Sequence, residues 1–274
     1  MIQTPIQNMD PQDLADFSSR HKETDYMLVD VRQPQEYTQE HIPGARLIPL
    51  HELEGRLAEL DPDKKTIFYC RSGKRSMSAA ILAMDSGFFT SEIFNLLGGI
   101  SAYQGTVLPD YPRVNIFHQE RDLKSVIKRA VSLEKGASKF YSELQAILDN
   151  DSLKKQIQKL AKLEKSHARV VFQQGKDLFE LDFQGLYDSV PDDIVEGGLQ
   201  TSAIVHQFQG ADQGELCSHL LEIALDIETM AYDMYRNLAE EQAFSRDATE
   251  CFFRLSEQEK GHIRLIARLF NDCR

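Results

Sequence analysis

Cys70 begins the first of two groups of residues whose types and spacing could do chemistry. It ends the apolar run "TIFYC" (66–70), and a helix of small residues starts shortly after it. The loop and the first turn of that helix consist of Arg71, Ser72, Gly73, Lys74, Arg75 and Ser76. Backbone N–H groups converge in such a loop and stabilise an anion, whether a thiolate, a persulfide or a bound oxyanion. The helix dipole and the neighbouring cations favour the thiolate of Cys70, which is its nucleophilic form.

Three uses of this cysteine can be compared. A cysteine at the end of an apolar strand can be a small buried hydrophobe, but the cationic loop after it favours a reactive thiol. A cysteine phosphatase places a phosphate-binding arginine six positions after its cysteine, whereas here that position is Ser76 and Arg75 comes one residue early. The tighter loop suits a terminal sulfur atom better than a phosphoryl group. The sequence therefore predicts that Cys70 carries sulfur.

The second group is a repeated pattern of a glutamate followed by Glu-x-x-His. The stretch "VSLEKGASKFY" (131–141) is similar to "LDIETMAYDMY" (225–235), and "AKLEKSHARVV" (161–171) is similar to "SEQEKGHIRLI" (256–266). In each copy the single glutamate precedes the pair by 30 or 31 residues. The six residues of the pattern are Glu134, Glu164, His167, Glu228, Glu259 and His262. Two copies of one helical hairpin explain this repeat.

Residues three apart share a helix face, so each Glu-x-x-His presents a carboxylate and an imidazole side by side. Four ionised carboxylates inside a bundle are unfavourable without cations, and two divalent ions would compensate them. Oxygen-rich ligands with two imidazoles suit iron or manganese better than structural zinc. We therefore predict two iron ions, with manganese or zinc as substitutes. The alternative, solvated side chains, does not explain the duplication.

Tyr141 and Tyr235 each lie seven residues after the single glutamate of their helix. That spacing puts each tyrosine on the same helix face as the glutamate, where it could donate a hydrogen bond to the site. The sequence favours a role as core aromatics instead.

The elements that position Cys70 are those of an α/β domain with a mostly parallel sheet, predicted over residues 1–108. Strands are predicted at 26–31, 46–50, 66–70 and 91–96, and helices at 51–60 and at 75–87, the latter ending at Gly87. The stretch from 105 to 115 holds two prolines and no usable period, which predicts a linker at 109–118.

Residues 119–274 have apolar residues at helical spacing in four long stretches, with breaks near 149–152, 180–214 and 243–247. This pattern predicts four helices of roughly 25–30 residues, longer than usual globular helices. The long middle break fits the crossover connection of a ferritin-like four-helix bundle.

Composition limits the partners. The chain has 274 residues and a formal net charge of −12, and both its halves are acidic, so we expect no nucleic acid and no anionic membrane as partner. Its first residues do not resemble a secretory leader, and we predict a cytoplasmic protein. The four cysteines form no C-x-x-C pair, and we expect free thiols.

Residues 10–105 resemble a single-domain rhodanese. The motifs that carry the resemblance are "DVRQPQEYTQEHIPGA" (30–45), "CRSGKRS" (70–76) and "LLGGISAY" (96–103). It implies that Cys70 takes a sulfane sulfur as a persulfide from a small donor, thiosulfate or a persulfide, and passes it to a thiol acceptor. Asp30 and Arg32 are interpreted as supporting residues that brace the loops through bidentate hydrogen bonding.

Residues 119–273 resemble the rubrerythrin branch of the ferritin-like proteins, which commonly reduce peroxide or dioxygen at a di-iron centre and usually pair as dimers. Two features depart from that family. Ala231 occupies the position where a rubrerythrin usually has a further glutamate, and no Cys-ligated iron domain is present. The resemblance implies a sulfurtransferase fused to a di-iron domain, in a homodimer with an unknown electron donor. The alternatives are a di-iron oxidoreductase and a non-enzymatic persulfide or iron sensor or carrier.

Overall fold

The structure is a computed structural model that describes residues 5–110, 123–148, 150–198, 200–201, 213–240 and 246–270. The chain divides into two compact units, Met1–Tyr111 and Pro112–Arg274. Most of the predicted linker, 109–118, lies outside the described residues, so its two predicted boundaries with the flanking domains stay predictions. Among the helices that the structure describes, none is both long enough and apolar enough to cross a lipid bilayer.

The first unit is built on a five-stranded sheet in which every pair of neighbours is parallel. Its strands are β1 (Gln7–Met9), β2 (Tyr26–Asp30), β3 (Ala45–Leu47), β4 (Lys65–Tyr69) and β5 (Ile93–Leu96). Their order across the sheet is β1-β5-β4-β2-β3, which puts β4 in the centre. The helices are α1 (Pro11–Arg20), α2 (Pro34–Gln39), α3 (Leu53–Arg56) and α4 (Lys74–Asp85). The predicted α/β class with a parallel sheet is confirmed.

Successive side chains along a strand point to opposite faces of the sheet, and both faces of this sheet are buried. In β2, Tyr26 and Leu28 belong to one apolar cluster, whereas Met27 and Val29 belong to the cluster on the other face. Cys70 lies in the second cluster.

Several sequence-based boundaries were wrong in detail. The strand β1 and the helix α1 were not predicted, and the predicted helix at 51–60 is the single turn α3 followed by a 3-10 turn, Leu57–Glu59. The helix predicted at 75–87 ends earlier, at Asp85, and Gly87 follows with a φ of +65°. That positive φ is the conformation in which a glycine after a helix end is favoured.

The second unit contains four long helices: α5 (Leu123–Ile147), α6 (Asp151–Gln173), α8 (Gln213–Leu238) and α9 (Arg246–Leu269). A short helix, α7 (Phe183–Ser189), lies in the connection between α6 and α8. The helix α6 begins at a cap, because Asn150 Oδ1 accepts hydrogen bonds from the amides of Ser152 and Leu153. The predicted ferritin-like bundle with a long crossover is confirmed, and part of that crossover, 202–212, lies outside the described residues.

The expectation of four free thiols was wrong for one cysteine. Cys217 is disulfide-bonded, whereas Cys70 and Cys251 are free and buried. Cys273 lies outside the described residues. The absence of a C-x-x-C pair argues against a local metal ribbon, but it does not exclude a pairing between distant cysteines.

Candidate functional sites

Cys70 follows the carboxyl end of the central strand β4, between β2 and β5. It is 1% exposed and packs on the sheet face that also contacts the small residues Ala79, Ala80 and Ala83 of α4. The side chains that follow Cys70 differ in their exposure: Arg71 and Lys74 are exposed to solvent, whereas Ser76 is buried. The thiol therefore lies at the base of a loop whose rim is cationic.

Hydrogen bonds to the sulfur of Cys70 oppose the effect of its burial. Burial raises the pKa of the Cys70 thiol, but hydrogen bonds from the Ser76 hydroxyl and from the amides of Ser76, Ser72 and Gly73 outweigh it and hold the pKa below its ordinary value. The hydroxyl of Ser76 lies 3.5 Å from Cys70 Sγ and 2.7 Å from Asn95 Oδ1, so one proton serves two acceptors. The loop thus stabilises negative charge on sulfur with neutral donors.

Residues of the "LLGGISAY" motif bond the backbone of the Cys70 loop. The amide of Ile100 donates to the carbonyl oxygen of Cys70 at 2.8 Å, and the amide of Ser101 donates to that of Arg71 at 3.1 Å. A Cβ atom on Gly99, whose φ is +58°, would lie 2.1 Å from the Cys70 oxygen. Only glycine fits this close approach, which explains the motif.

Two of the arginines predicted at or around the Cys70 loop, Arg75 and Arg32, are paired with carboxylates. Arg75 makes two hydrogen bonds of 2.7 Å to Glu36, whose pKa falls to about 2 because of them. Arg32 Nη2 lies 2.7 Å from Asp30 Oδ2, its Nε bonds the same carboxylate, and its Nη2 also donates to the carbonyl of Glu40 at 2.6 Å. Both Asp30 and Arg32 are buried. Arg32 thus links Asp30 to the carbonyl of Glu40, and the bracing role of this pair stays a prediction, whereas the guanidinium of Arg75 is already paired with Glu36.

The second predicted group comes together inside the bundle, where all six residues are buried. One ligand atom from each of Glu164, His167, Glu259 and His262 lies within 4.8 Å of the others. His167 Nδ1 is 3.3 Å from Glu164 and 3.2 Å from Glu259, and His262 Nδ1 is 3.0 Å and 3.1 Å from the same two carboxylates. Glu164 and Glu259 are therefore shared between the two imidazoles.

The other two carboxylates belong to one imidazole each. Glu134 lies 3.5 Å from His167 Nδ1, and Glu228 lies 3.0 Å from His262 Nδ1. The arrangement has two matching halves, each with one histidine, one glutamate of its own and two shared glutamates. Such halves offer ligands for two metal ions.

Both tyrosines reach the site across the bundle. The Tyr235 hydroxyl on α8 donates to Glu134 on α5 at 2.7 Å, and the Tyr141 hydroxyl on α5 donates to Glu228 on α8. The favoured interpretation of these tyrosines as core aromatics was therefore incomplete. Each hydroxyl orients a carboxylate that belongs to one half only. Each half of the site therefore includes one tyrosine as well as one histidine and one glutamate of its own.

Buried polar atoms that make no hydrogen bond indicate that this donor set fits metal ions. Within the described residues, Glu134 Oε2, Glu164 Oε1, Glu259 Oε2 and His167 Nδ1 are buried and make no hydrogen bond. Burial raises the pKa of Glu134 to about 8, whereas contact with both imidazoles lowers the pKa of Glu164 and of Glu259 despite their burial. Divalent ions would satisfy these atoms and balance the carboxylates.

Sequence reasoning missed Glu196, which lies in the crossover and opens a 3-10 turn, Glu196–Gly198. It is 3% exposed, and burial together with the carboxylates of Glu134, Glu164 and Glu259 holds its pKa well above the usual range. Glu196 belongs to neither copy of the repeated pattern and to no stretch with helical spacing. The sequence therefore contains no indication of its role.

Comparisons with known proteins match both units. The family model described as "Rhodanese-like domain" matches residues 12–106, and the model described as "Rubrerythrin" matches residues 125–183. The second match contains Glu134, Glu164 and His167, and it ends before the second copy of the pattern.

The first unit also has similar relatives. A "Sulfurtransferase" of Allochromatium vinosum is 39% identical over 98 residues, which are 35% of this chain and 90% of that protein. The "Uncharacterized protein YqhL" of Bacillus subtilis is 41% identical over 29% of this chain, and this chain spans 62% of its length. A crystal structure of a rhodanese-like domain protein from Staphylococcus aureus is 22% identical, with a TM-score of 0.34, over 38% of this chain and 98% of that one. The chain therefore belongs to the rhodanese-like family of sulfurtransferases, with a rubrerythrin domain following the rhodanese-like domain.

Proposed function

We propose that the first unit transfers sulfane sulfur, carried as a persulfide on Cys70. The observation that supports this most is the position of the Cys70 thiol after the central strand, with the Ser76 hydroxyl 3.5 Å from its sulfur and nearby amides that lower its pKa. Such donors stabilise a thiolate before the transfer and can stabilise a terminal persulfide anion after it. The sulfurtransferase found among the relatives supports the same reaction class.

The proposed reaction has two nucleophilic steps. The Cys70 thiolate attacks the outer sulfur of thiosulfate, so the new S–S bond forms as the bond to the sulfonate group breaks and sulfite leaves. An acceptor thiolate then attacks the outer sulfur of the persulfide, and Cys70 leaves as a thiolate. The charges balance in both steps, and no external oxidant or reductant is needed. Exposed Arg71 and Lys74 would attract the anionic donor.

Substitution of Cys70 tests this proposal. Cys70→Ser should abolish sulfur transfer from thiosulfate to cyanide or to a thiol, and should prevent a mass increase of one sulfur atom on the intact chain. Cys251→Ala removes a buried thiol of the other unit and should keep both signals. Transfer that survives Cys70→Ser would overturn the assignment.

We propose further that the second unit binds two iron ions. The ions would be held by Glu134 and His167 of one half, by Glu228 and His262 of the other, and by the shared Glu164 and Glu259. Bound iron would supply one-electron chemistry toward peroxide or dioxygen, with manganese or zinc as substitutes that fit the same donors. Around it, Tyr141 and Tyr235 hold the carboxylates in place. The observation that supports this proposal is the pair of matched halves with shared carboxylates.

Metal analysis tests the second proposal. The wild-type chain, purified without oxygen and loaded with Fe(II), should contain two ions, and the double variant Glu164→Ala/Glu259→Ala should contain none. Wild-type metal content in that variant would overturn the ligand assignment.

A second candidate function is an oxidoreductase at the metal centre. The carboxylate-rich donor set favours it, because such donors suit iron that changes oxidation state. In this case Cys70 or an external protein would supply electrons. Rapid oxidation of the loaded centre by peroxide, followed by re-reduction that needs Cys70, would support it. Persulfide formation without turnover of any donor and acceptor would instead indicate a sensor or carrier.

The proposed setting is a cytoplasmic homodimer that pairs through its long helices. The acidic composition supports the absence of nucleic acid and anionic membrane as partners. Small-angle scattering of the full chain tests the dimer, and a monomer at micromolar concentration would contradict it.

A further inference from the structure

Glu196 is a buried carboxylate outside the six proposed ligands. It is 3% exposed, although Asp193 and Gln200 on either side of it along the chain are exposed. Its Oε1 makes no hydrogen bond to any residue that the structure describes. A buried carboxylate oxygen without a partner is costly unless a cation or a donor compensates it.

The segment before Glu196 is fixed to one face of α5 by three side chains. Ser132 Oγ donates to the carbonyl of Pro191 at 2.8 Å, and Lys135 Nζ donates to the carbonyl of Val190 at 2.8 Å. Lys139 Nζ pairs with Asp192 Oδ1 at 2.9 Å. The crossover is therefore held on the helix that carries Glu134.

Gly136 allows the crossover backbone to touch α5. A Cβ atom at this position would lie 1.8 Å from the carbonyl oxygen of Ile194. Gly136 is two residues after Glu134, and Ile194 is two residues before Glu196. A glycine within a helix costs about 1 kcal/mol relative to alanine, so this contact is the physical reason for it here.

The turn that carries Glu196 is fixed as well. The amide of Gly198 donates to the carbonyl of Val195 at 2.9 Å, and the amide of Thr201 donates to that of Asp193 at 3.0 Å. Val195 is fully buried in the apolar cluster that also contains Ala137 of α5 and Ile227 of α8. Glu196 is thus presented between the two helices that supply Glu134 and Glu228.

The charged groups that act most strongly on Glu196 are carboxylates. They are Glu134, Glu164 and Glu259, all of them proposed metal ligands. A further buried carboxylate near this group adds repulsion that a cation or a proton can relieve. On α8, the residue one turn after Glu228 is Ala231, which is buried and offers no ligand.

We propose that Glu196 is a further metal-facing carboxylate, supplied to the centre by the crossover and not by a helix. The proposal rests on the metal centre proposed above. It assigns to the fixed crossover a role in metal binding, and it makes Gly136 a positioning residue for Glu196.

Metal titration of the full chain tests the assignment. Fe(II) and, separately, Co(II) would be added without oxygen to wild type, Glu196→Gln and the control Asp193→Asn. Glu196→Gln should raise the Kd of one of the two ions at least about tenfold and shift the visible Co(II) absorption bands. Asp193→Asn removes an exposed charge from the same segment and should match the wild type in both readouts.

A glycine pair provides a second test that leaves every carboxylate in place. Gly136→Ala should push the crossover away and raise the same Kd, whereas Gly261→Ala, in α9 with nothing within 4 Å of its added Cβ, should not. Circular dichroism of the metal-free variants would verify the fold, and metal-free Glu196→Gln should melt no lower than the wild type, since a buried unpaired carboxylate is removed.

The outcomes separate the two proposals. A wild type that binds two ions, with Glu196→Gln identical to it in Kd and in Co(II) spectrum, would overturn the role of Glu196 alone. A wild type that binds no ion would overturn the metal centre as well.

Discussion

The imidazole rings of His167 and His262 lie stacked, with their centroids 4.8 Å apart and their planes at 9° to each other. Both Nδ1 atoms face Glu164 and Glu259 at distances between 3.0 and 3.3 Å. Because the two rings meet the same carboxylates, the halves of the centre are not independent. A change in a shared glutamate and a change in an unshared one should differ in their effect.

We expect Glu164→Gln to lose both metal ions and Glu134→Gln to retain one. The shared carboxylate contributes to both proposed positions, whereas Glu134 contacts only His167 among the two histidines. The measurement is the metal-to-protein ratio by mass spectrometry after anaerobic loading with Fe(II). The exposed Glu257 provides the control, since Glu257→Gln should keep two ions. Equal losses in the two ligand variants would contradict the assignment of shared and unshared carboxylates.

The tyrosines give a second prediction. Tyr235→Phe removes the 2.7 Å hydrogen bond to Glu134, so the carboxylate loses the group that orients it. We expect the affinity for metal to fall by about 10- to 100-fold, as is typical when a partner of a ligand is removed. Isothermal titration with Co(II) measures it. Tyr232→Phe changes a neighbouring buried tyrosine of the same helix and serves as the control; an unchanged affinity in Tyr235→Phe would show that the hydroxyl does not position the ligand.

Much of both sites could be predicted because their signals are local or repeated. The loop after Cys70 needs only a strand, a tight turn and a helix that follow each other in the chain. The six candidate ligands could be identified because Glu-x-x-His is a contact within one helix turn, and the pattern occurs twice.

The contacts that were missed join distant parts of the chain. Tyr141 is on the same helix as Glu134 but donates to Glu228, since the hydroxyl extends across the bundle. Glu196 lies in a crossover without periodicity, and its burial depends on a close approach at Gly136, 60 residues earlier. Spacing within one element contains no information on such contacts, because they are fixed by packing between elements.

The reactivity of Cys70 should depend on pH in a specific direction. Its pKa lies below the ordinary value, so the thiolate should persist to lower pH than that of a free cysteine. Ser76→Ala removes one donor, raises the pKa and should move the profile of iodoacetamide alkylation to higher pH. Ser78→Ala, whose exposed hydroxyl contacts the carbonyl of Lys74, should not move it.

Cys251 provides an internal reference for the alkylation of Cys70. Burial raises the pKa of the Cys251 thiol to about 12, so Cys251 should stay unmodified over the range in which Cys70 reacts. Peptide mass spectrometry distinguishes the two sites. A profile of Cys70 that matches an ordinary thiol would contradict the stabilisation of its thiolate.

The pair of Asp30 and Arg32 should stabilise the first unit. Arg32→Ala leaves Asp30 buried without its partner, which costs about 3–5 kcal/mol, whereas Arg20→Ala breaks an exposed pair with Asp16 and costs about 0–1 kcal/mol. The chain has no tryptophan, so hydrogen exchange of peptides from the first unit is the suitable measurement. Equal protection in the two variants would show that the buried pair contributes little.

A methyl group added at Gly99 should distinguish the effect of the shape of the Cys70 loop from the effect of its charged residues. Gly99→Ala places a Cβ atom 2.1 Å from the carbonyl oxygen of Cys70 at a residue with positive φ, so the loop must shift and its amides should no longer converge on the sulfur. Sulfur transfer should fall at least about tenfold, the effect of losing one amide directed at a developing charge. Gly55→Ala, with nothing within 4 Å of its Cβ, should keep full activity. Because Gly99→Ala leaves Cys70 and every cation of the loop in place, undiminished transfer would mean that those charges, and not the converging amides, activate the thiol.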